Sequence, residues 1–218
     1  MTDNLFVDVA YHEDLIDWQR AYAAGVREAY IRFATGYKRG AADPLFLINC
    51  EGAARAGVHW SVYHVPAITD RDGIRGQAVV FGRTVVVLGR VLGLMLANDL
   101  PPMMDLEKFQ SLRRDTNRAA IWEYVDITTQ VIGAFLGEYT RASWRDSVLG
   151  RLPLGFEKDT CLWLAQPGLG GIATTRPPTI PLAYQAVGKT WDIHQYSWKG
   201  RIDGIPGEVD LNRRRVVV

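Results

Sequence analysis

The sequence predicts an α/β fold in which a parallel sheet covered by helices closes into a barrel. Three observations predict it. Short apolar, β-rich runs alternate with stretches of helical spacing over the first two thirds of the chain. Those runs are apolar on both faces, as strands buried between a core and a helical layer are. Many of them also lack the polar residues that guard an open sheet edge, which closure into a barrel explains.

The elements follow in order. Residues 5–10 (LFVDVA) form a first strand, and residues 15–24 (LIDWQRAYAA) a helix that stops at Gly25. Residues 29–33 (AYIRF) are strand-like. Asp43-Pro44 opens a helix running to about Ala56, with Gly57 as its stop. Residues 58–65 (VHWSVYHV) are a strand, and the chain is helical from Asp72 to about Leu96. Residues 103–107 (MMDLE) form a strand after Pro101-Pro102, followed by a long helix over 117–136. The last third changes character. Residues 161–165 (CLWLA), 192–197 (DIHQYS) and 208–211 (EVDL) are strands with little helix between them, and the Gly/Pro-rich stretch 166–181 is a long loop.

Composition narrows the function classes. The 218 residues suit one domain spanning 1–218, and 48% hydrophobic with 22% charged residues is ordinary for a chain with a substantial core. Twenty-five basic against 24 acidic residues leave +1, so nothing pulls the chain toward nucleic acid. A monomer is expected. Cys50 and Cys161 have no nearby partner and suggest two buried thiols rather than a disulfide framework. The four histidines form no ligand pattern, so neither metal nor cofactor is expected; His64 and His194 suit hydrogen-bonded strand positions. The most membrane-like stretch, 78–100, is broken by Arg83 and Arg90 and is expected to be a buried helix, not a membrane insertion. The N-terminus shows no basic stretch followed by an apolar one, so no secretory signal is read, and a chain made without one or a piece of a longer precursor is expected.

Four carboxylates stand at or near strand ends: Asp8, Asp105, Glu107 and Asp210. An uncompensated carboxylate in an apolar strand costs several kcal/mol. One alone suits a satisfied core aspartate as well as a functional group; four spread over three strands point to a site. The two-residue period puts Asp105 and Glu107 on one face, with Cα atoms about 6–7 Å apart. Repulsion between them is expected to raise one pKa, leaving a proton donor beside an ionised partner, as glycosidic hydrolysis requires.

The segments FVDVAYHEDLIDW, IRFATGYKRGAADPLFLINCEGAARAGVHWSVYHV, LPPMMDLEKF, CLWLA and WDIHQYSWKGRIDGIPGEVDLNR together resemble, in order, the glycoside hydrolase family 25 lysozymes. The resemblance implies an irregular TIM-like barrel of (β/α)5(β)3 type, and cleavage of the β-1,4 bond of bacterial peptidoglycan with retention. It implies Glu107 as general acid and Asp105 as the group that orients substrate or stabilises positive charge. Asp8 and Asp210 would hold the hydrogen-bond network, and Tyr63 would meet the sugar N-acetyl group. Gln195, Tyr196, Trp198 and Trp163 complete the substrate-binding candidates, although the alternation around Trp163 also suits core packing. The family usually opens Asp-Val-Ser with a Gln shortly after, whereas this chain reads Asp8-Val9-Ala10-Tyr11-His12-Glu13. Such groove departures leave a second reading, a non-catalytic glycan-binding or virion structural module on the same fold.

Overall fold

The computed structural model describes residues 4–36, 42–67, 71–94, 100–107 and 113–215. The strands are β1 (Leu5–Val9), β2 (Val26–Thr35), β3 (His59–Val65), β4 (Met103–Leu106), β5 (Gly137–Thr140), β6 (Leu162–Ala165), β7 (Ile193–Gly200) and β8 (Val209–Arg214). They close into one barrel in sequence order. β1 through β7 pair in parallel, and β8 closes the ring antiparallel to both β7 and β1. The helices are α1 (Trp18–Ala23), α2 (Phe46–Ala56), α3 (Arg71–Leu92), α4 (Arg114–Ile132), α5 (Ala142–Val148) and the single turn α6 (Leu182–Gln185). β1 to β5 are thus each followed by a helix of more than one turn and β6 by the single turn α6, and β6, β7 and β8 complete the irregular α/β barrel.

Alternation along each strand divides the apolar residues between two cores. Val7, Val9, Ile31 and Val62 point outward into a large cluster with Trp18, Phe46, Cys50, Phe81 and Ile121 of the helices. Phe6, Tyr30, Tyr63, Met103, Tyr139, Trp163 and Ile193 point inward and fill the barrel. Trp163 sits in the middle of that filling, stacked on Tyr30 at 4.7 Å between ring centroids and met edge-on by Tyr139 at 4.5 Å.

Several expected boundaries shift for identifiable reasons. α1 starts at Trp18 because the Asp17 carboxylate caps it, accepting the Arg20 amide at 3.0 Å. α2 starts at Phe46 because Asp43 is engaged elsewhere, accepting the amides of Tyr11 and Leu45 and pairing with Arg32. α4 ends at Ile132, where Gly133 takes a left-handed φ of 69°. α3 is amphipathic rather than wholly buried: Ile74, Ala78, Phe81, Val85 and Leu88 face the core while Val80, Val87 and Val91 are exposed. It ends at Leu92, and the expected end near Leu96 lies outside the described residues. Among the described residues no helix is long and apolar enough to cross a membrane. Cys50 is a buried free thiol, whereas Cys161 is only partly buried.

β5 and α5 were not anticipated from residue pattern. The GEYT strand carries a glycine because Met103 occupies the space a Cβ would need at position 137. Its glutamate, Glu138, points outward into a fully buried network. Arg145 of α5 donates to Glu138 at 3.1 Å and to Glu157 at 2.6 Å, and the Tyr184 hydroxyl donates to Glu138 at 2.9 Å. A polar strand pattern thereby becomes compatible with burial.

Candidate active site

The parallel strands bring their C-terminal ends to one end of the barrel, and β8, running the other way, brings its start. Asp210 is therefore near the beginning of its strand and directly opposite Asp8 in the β1·β8 pairing. Asp105 lies on β4, and Glu107 follows the last residue of that strand. All four carboxylates line one cavity of about 210 Å³, together with Tyr63, Gln195 and Trp163. Asp8 and Asp105 are buried, at 8% and 6% exposure; the Glu107 side chain keeps 24% of its surface and stands at the more open side.

Two amides organise the acids. Gln195 Oε1 accepts hydrogen bonds from the Tyr139 hydroxyl at 3.0 Å and the Trp198 indole N–H at 2.9 Å. An indole nitrogen only donates, so the oxygen must face it and the Gln195 NH2 must face the carboxylates. That NH2 donates to Asp8 at 3.0 Å and to Asp210 at 3.1 Å. The same logic fixes Asn212. Its Oδ1 accepts from the Trp163 indole at 2.8 Å, and its Nδ2 donates to Asp8 at 2.7 Å. Asn212 follows Asp210 by two residues, so it shares a face with it.

Burial raises the pKa of both Asp8 and Asp210. For Asp8 the donors on Asn212 and Gln195 work against burial, while the charges of Glu13 and Glu107 add to it. Asp210 has the Asp8, Glu13 and Glu107 charges adding to burial, with the Arg141 charge opposing. Asp8, holding the stronger donors, is the better anion, and Asp210 is the member that keeps a proton at neutral pH. A raised pKa was expected within the Asp105–Glu107 pair; the structure places one on each member of the cross-strand Asp8 and Asp210 pair. Burial likewise holds the hydroxyls of Tyr63 and Tyr139 well above the ordinary tyrosine range, so both remain donors.

The cavity's rim has a polar side that sequence reasoning did not assign. Glu13 ends a 3-10 turn over Tyr11–Glu13, and its Oε2 accepts the Ala10 amide at 2.6 Å. Burial raises its pKa. Arg32 lines the cavity while its guanidinium pairs with Asp43 at 3.0 Å and lies over the Tyr11 ring at 5.1 Å. Across the opening, Arg141 reaches Glu107 at 3.5 Å and covers the Trp198 ring at 5.0 Å. Only Glu13 had a signal, standing near where the resembled family carries a Gln.

The aromatic candidates separate. Tyr63 lines the cavity. Trp163 also lines it but is 1% exposed, so it is floor and amide anchor rather than a stacking platform. Trp198 does not line the cavity; it is half-buried beside it, tied to Gln195. Tyr196 follows Gln195 directly and so falls on the opposite face of β7, its ring near His194 and Arg213, away from the cavity lining. His64 is buried, bonded to the Tyr124 hydroxyl at 2.7 Å and pushed down to about 4 by burial. His194 meets the Gln166 carbonyl at 2.9 Å. Among the described residues no group of three or more His, Cys, Asp or Glu is arranged to hold a metal ion.

The family model described as glycosyl hydrolases family 25 matches residues 7–205, a span holding the site elements except β8, which carries Asp210 and Asn212. The chain belongs to glycosyl hydrolase family 25. Lysozyme M1 of Streptomyces globisporus is 27% identical over 219 residues. That alignment covers 95% of this chain but only 66% of the relative's own length. Among solved structures, a bacterial lysozyme from Streptomyces coelicolor superposes with a TM-score of 0.76 at 23% identity, covering 98% of this chain and 92% of that one. A family 25 lysozyme from Aspergillus fumigatus superposes with a TM-score of 0.73 at 23% identity, covering 97% and 94%. These superpositions are likenesses of fold. Within the family-25 barrel, the helix-poor final third is where β6, β7 and β8 close the ring.

Proposed function

We propose that the chain is a peptidoglycan hydrolase that cleaves the β-1,4 bond between N-acetylmuramic acid and N-acetylglucosamine. One observation carries the reading: Glu107 stands partly open on the cavity lip, two residues from buried Asp105, with Asp8 and Asp210, both accepting from the Gln195 NH2, in the same cavity. The relatives named as lysozymes support the substrate class.

The chemistry follows from what each group can do. Glu107 donates its proton to the glycosidic oxygen as the bond from that oxygen to the anomeric carbon breaks. The neighbouring 2-acetamido oxygen forms a bond to the anomeric carbon from the opposite face, giving a cyclic oxazolinium ion. Asp105 holds the acetamido N–H and offsets the positive charge, and the Tyr63 hydroxyl steadies the acetyl group. Water then adds to the anomeric carbon, passes its proton to Glu107 and reopens the ring. Two inversions give net retention. Asp8 and Asp210 do not exchange protons with substrate in this scheme; they set the field and shape in which Asp105 works.

Glu107→Gln keeps the side-chain volume and removes the acid. Its lysis of purified cell walls falls by about 10²–10⁴-fold with the fold intact. An unimpaired mutant overturns the assignment. Wild-type protein that binds walls without releasing reducing ends would favour the non-catalytic module instead.

A further inference from the structure

The other end of the barrel carries a second cavity. It has a volume of about 300 Å³ and lies between α4 and the segments that lead into β5 and β6. Phe135, Leu136, Phe156 and Thr160 precede parallel strands, so this cavity opens where those strands begin, opposite the end bearing Asp105 and Glu107.

Its lining is unusual for this surface. Three aromatic side chains are classed as exposed among the described residues. Tyr11 belongs to the turn beside the acidic cavity; Trp122, 50% exposed, and Phe135, 57% exposed, both line the second cavity. Oxygen-bearing side chains stand among these rings. Asp126 accepts from Gln130 at 2.9 Å and retains further acceptor capacity, and Asp159 adds a second carboxylate. The buried Thr129 hydroxyl on the same wall has no hydrogen-bond partner among the described residues.

Flat apolar rings bordered by oxygen acceptors match both chemistries of an N-acetylated hexosamine. Its C–H face stacks on indole or phenyl, while its hydroxyls and amide N–H donate to carboxylates and hydroxyls. The volume sits at the low end for small-ligand sites, which suits a short stretch of glycan. We propose that this cavity is a second, non-catalytic binding site for N-acetylated glycan. Two sites at opposite ends of one rigid barrel engage an insoluble polymer more durably than either alone, because the second contact forms at high effective concentration. The proposal rests on the functional reading for the identity of the polymer, and on the geometry alone for the chemistry of the ligand.

The test titrates the full chain with the tetrasaccharide of β-1,4-linked N-acetylglucosamine and follows the Trp122 indole N–H by NMR, assigned through its loss in Trp122→Phe. The signal moves with the saccharide and not with a lysine-containing wall peptide at equal concentration. In a Glu107→Gln background, where the wall is not consumed, Trp122→Ala and Phe135→Ala each weaken retention on insoluble peptidoglycan by about fivefold, with thermal midpoints preserved. A Trp122 signal that stays still, or that answers only the peptide, overturns the proposal. So does unchanged retention in both alanine variants. A wild-type protein that fails to hydrolyse walls while Trp122 still answers the saccharide removes the functional reading and supports this one.

Discussion

Replacing Asn212 with leucine removes two hydrogen bonds at the base of the acidic cavity while keeping the side chain's branched shape and its number of heavy atoms. The first is the 2.7 Å bond from Nδ2 to Asp8, a bond to an anion worth about 1.5–3 kcal/mol. The second is the 2.8 Å bond from the Trp163 indole, whose N–H is then buried without an acceptor at a cost of about 1–3 kcal/mol. The two together give a loss of about 2.5–6 kcal/mol near neutral pH, partly offset by the added apolar surface. Burial already places the pKa of Asp8 above its unfolded value. A carboxyl raised in this way favours the folded state most at pH below its unfolded value, and that contribution is lost as pH rises through the folded one. Loss of the Asn212 donor raises Asp8 further and widens the window. The destabilisation is therefore larger at about pH 7.5, where wild-type Asp8 is substantially ionised, than at about pH 4.5, where it carries a proton and chiefly the indole cost remains. Urea unfolding of both proteins at the two pH values measures this. A loss below about 1 kcal/mol, or one equal at both pH values, refutes the reasoning.

Three further outcomes follow. Arg145→Met leaves Glu138 and Glu157 buried without their cation and destabilises the fold by about 3–5 kcal/mol in denaturant unfolding; a neutral result shows that the network is dispensable. Proton NMR of the first-formed anomer shows the β form from the β-linked glycan, and an initial α product means inversion and removes the acetamido mechanism. Trp198→Phe removes one of the two donors that orient Gln195 and lowers kcat on soluble glycan by about tenfold with KM little changed; a rise confined to KM instead places Trp198 on the substrate.

The sequence made the barrel legible where strands are apolar runs between breakers. β1, β3, β4 and β6 are of that kind, and each was placed to within one residue. β5 is hidden because Gly137 makes way for Met103 and Glu138 faces a buried arginine, neither of which leaves a hydrophobic pattern. The carboxylates were legible for the same reason that β5 was not: Asp8 and Asp105 interrupt apolar strands at visible cost. The amide layer was not legible, because Gln195 and Asn212 gain their meaning only when β7 and β8 place them beside Asp8. Tyr196 and Gln195 adjoin on one strand and cannot both face the barrel, a constraint the alternation rule already contained. Arg141 follows the hidden strand, so its approach to Glu107 could not be anticipated either.

The central claim is that Glu107 drives cleavage of the glycan chain on the reducing side of N-acetylmuramic acid. Purified peptidoglycan is digested with wild-type protein or Glu107→Gln, reduced with borohydride and analysed by mass spectrometry. Fragments ending in reduced N-acetylmuramic acid appear with the wild type and vanish with the variant. Fragments ending in reduced N-acetylglucosamine, or equal yields from the two proteins, contradict it.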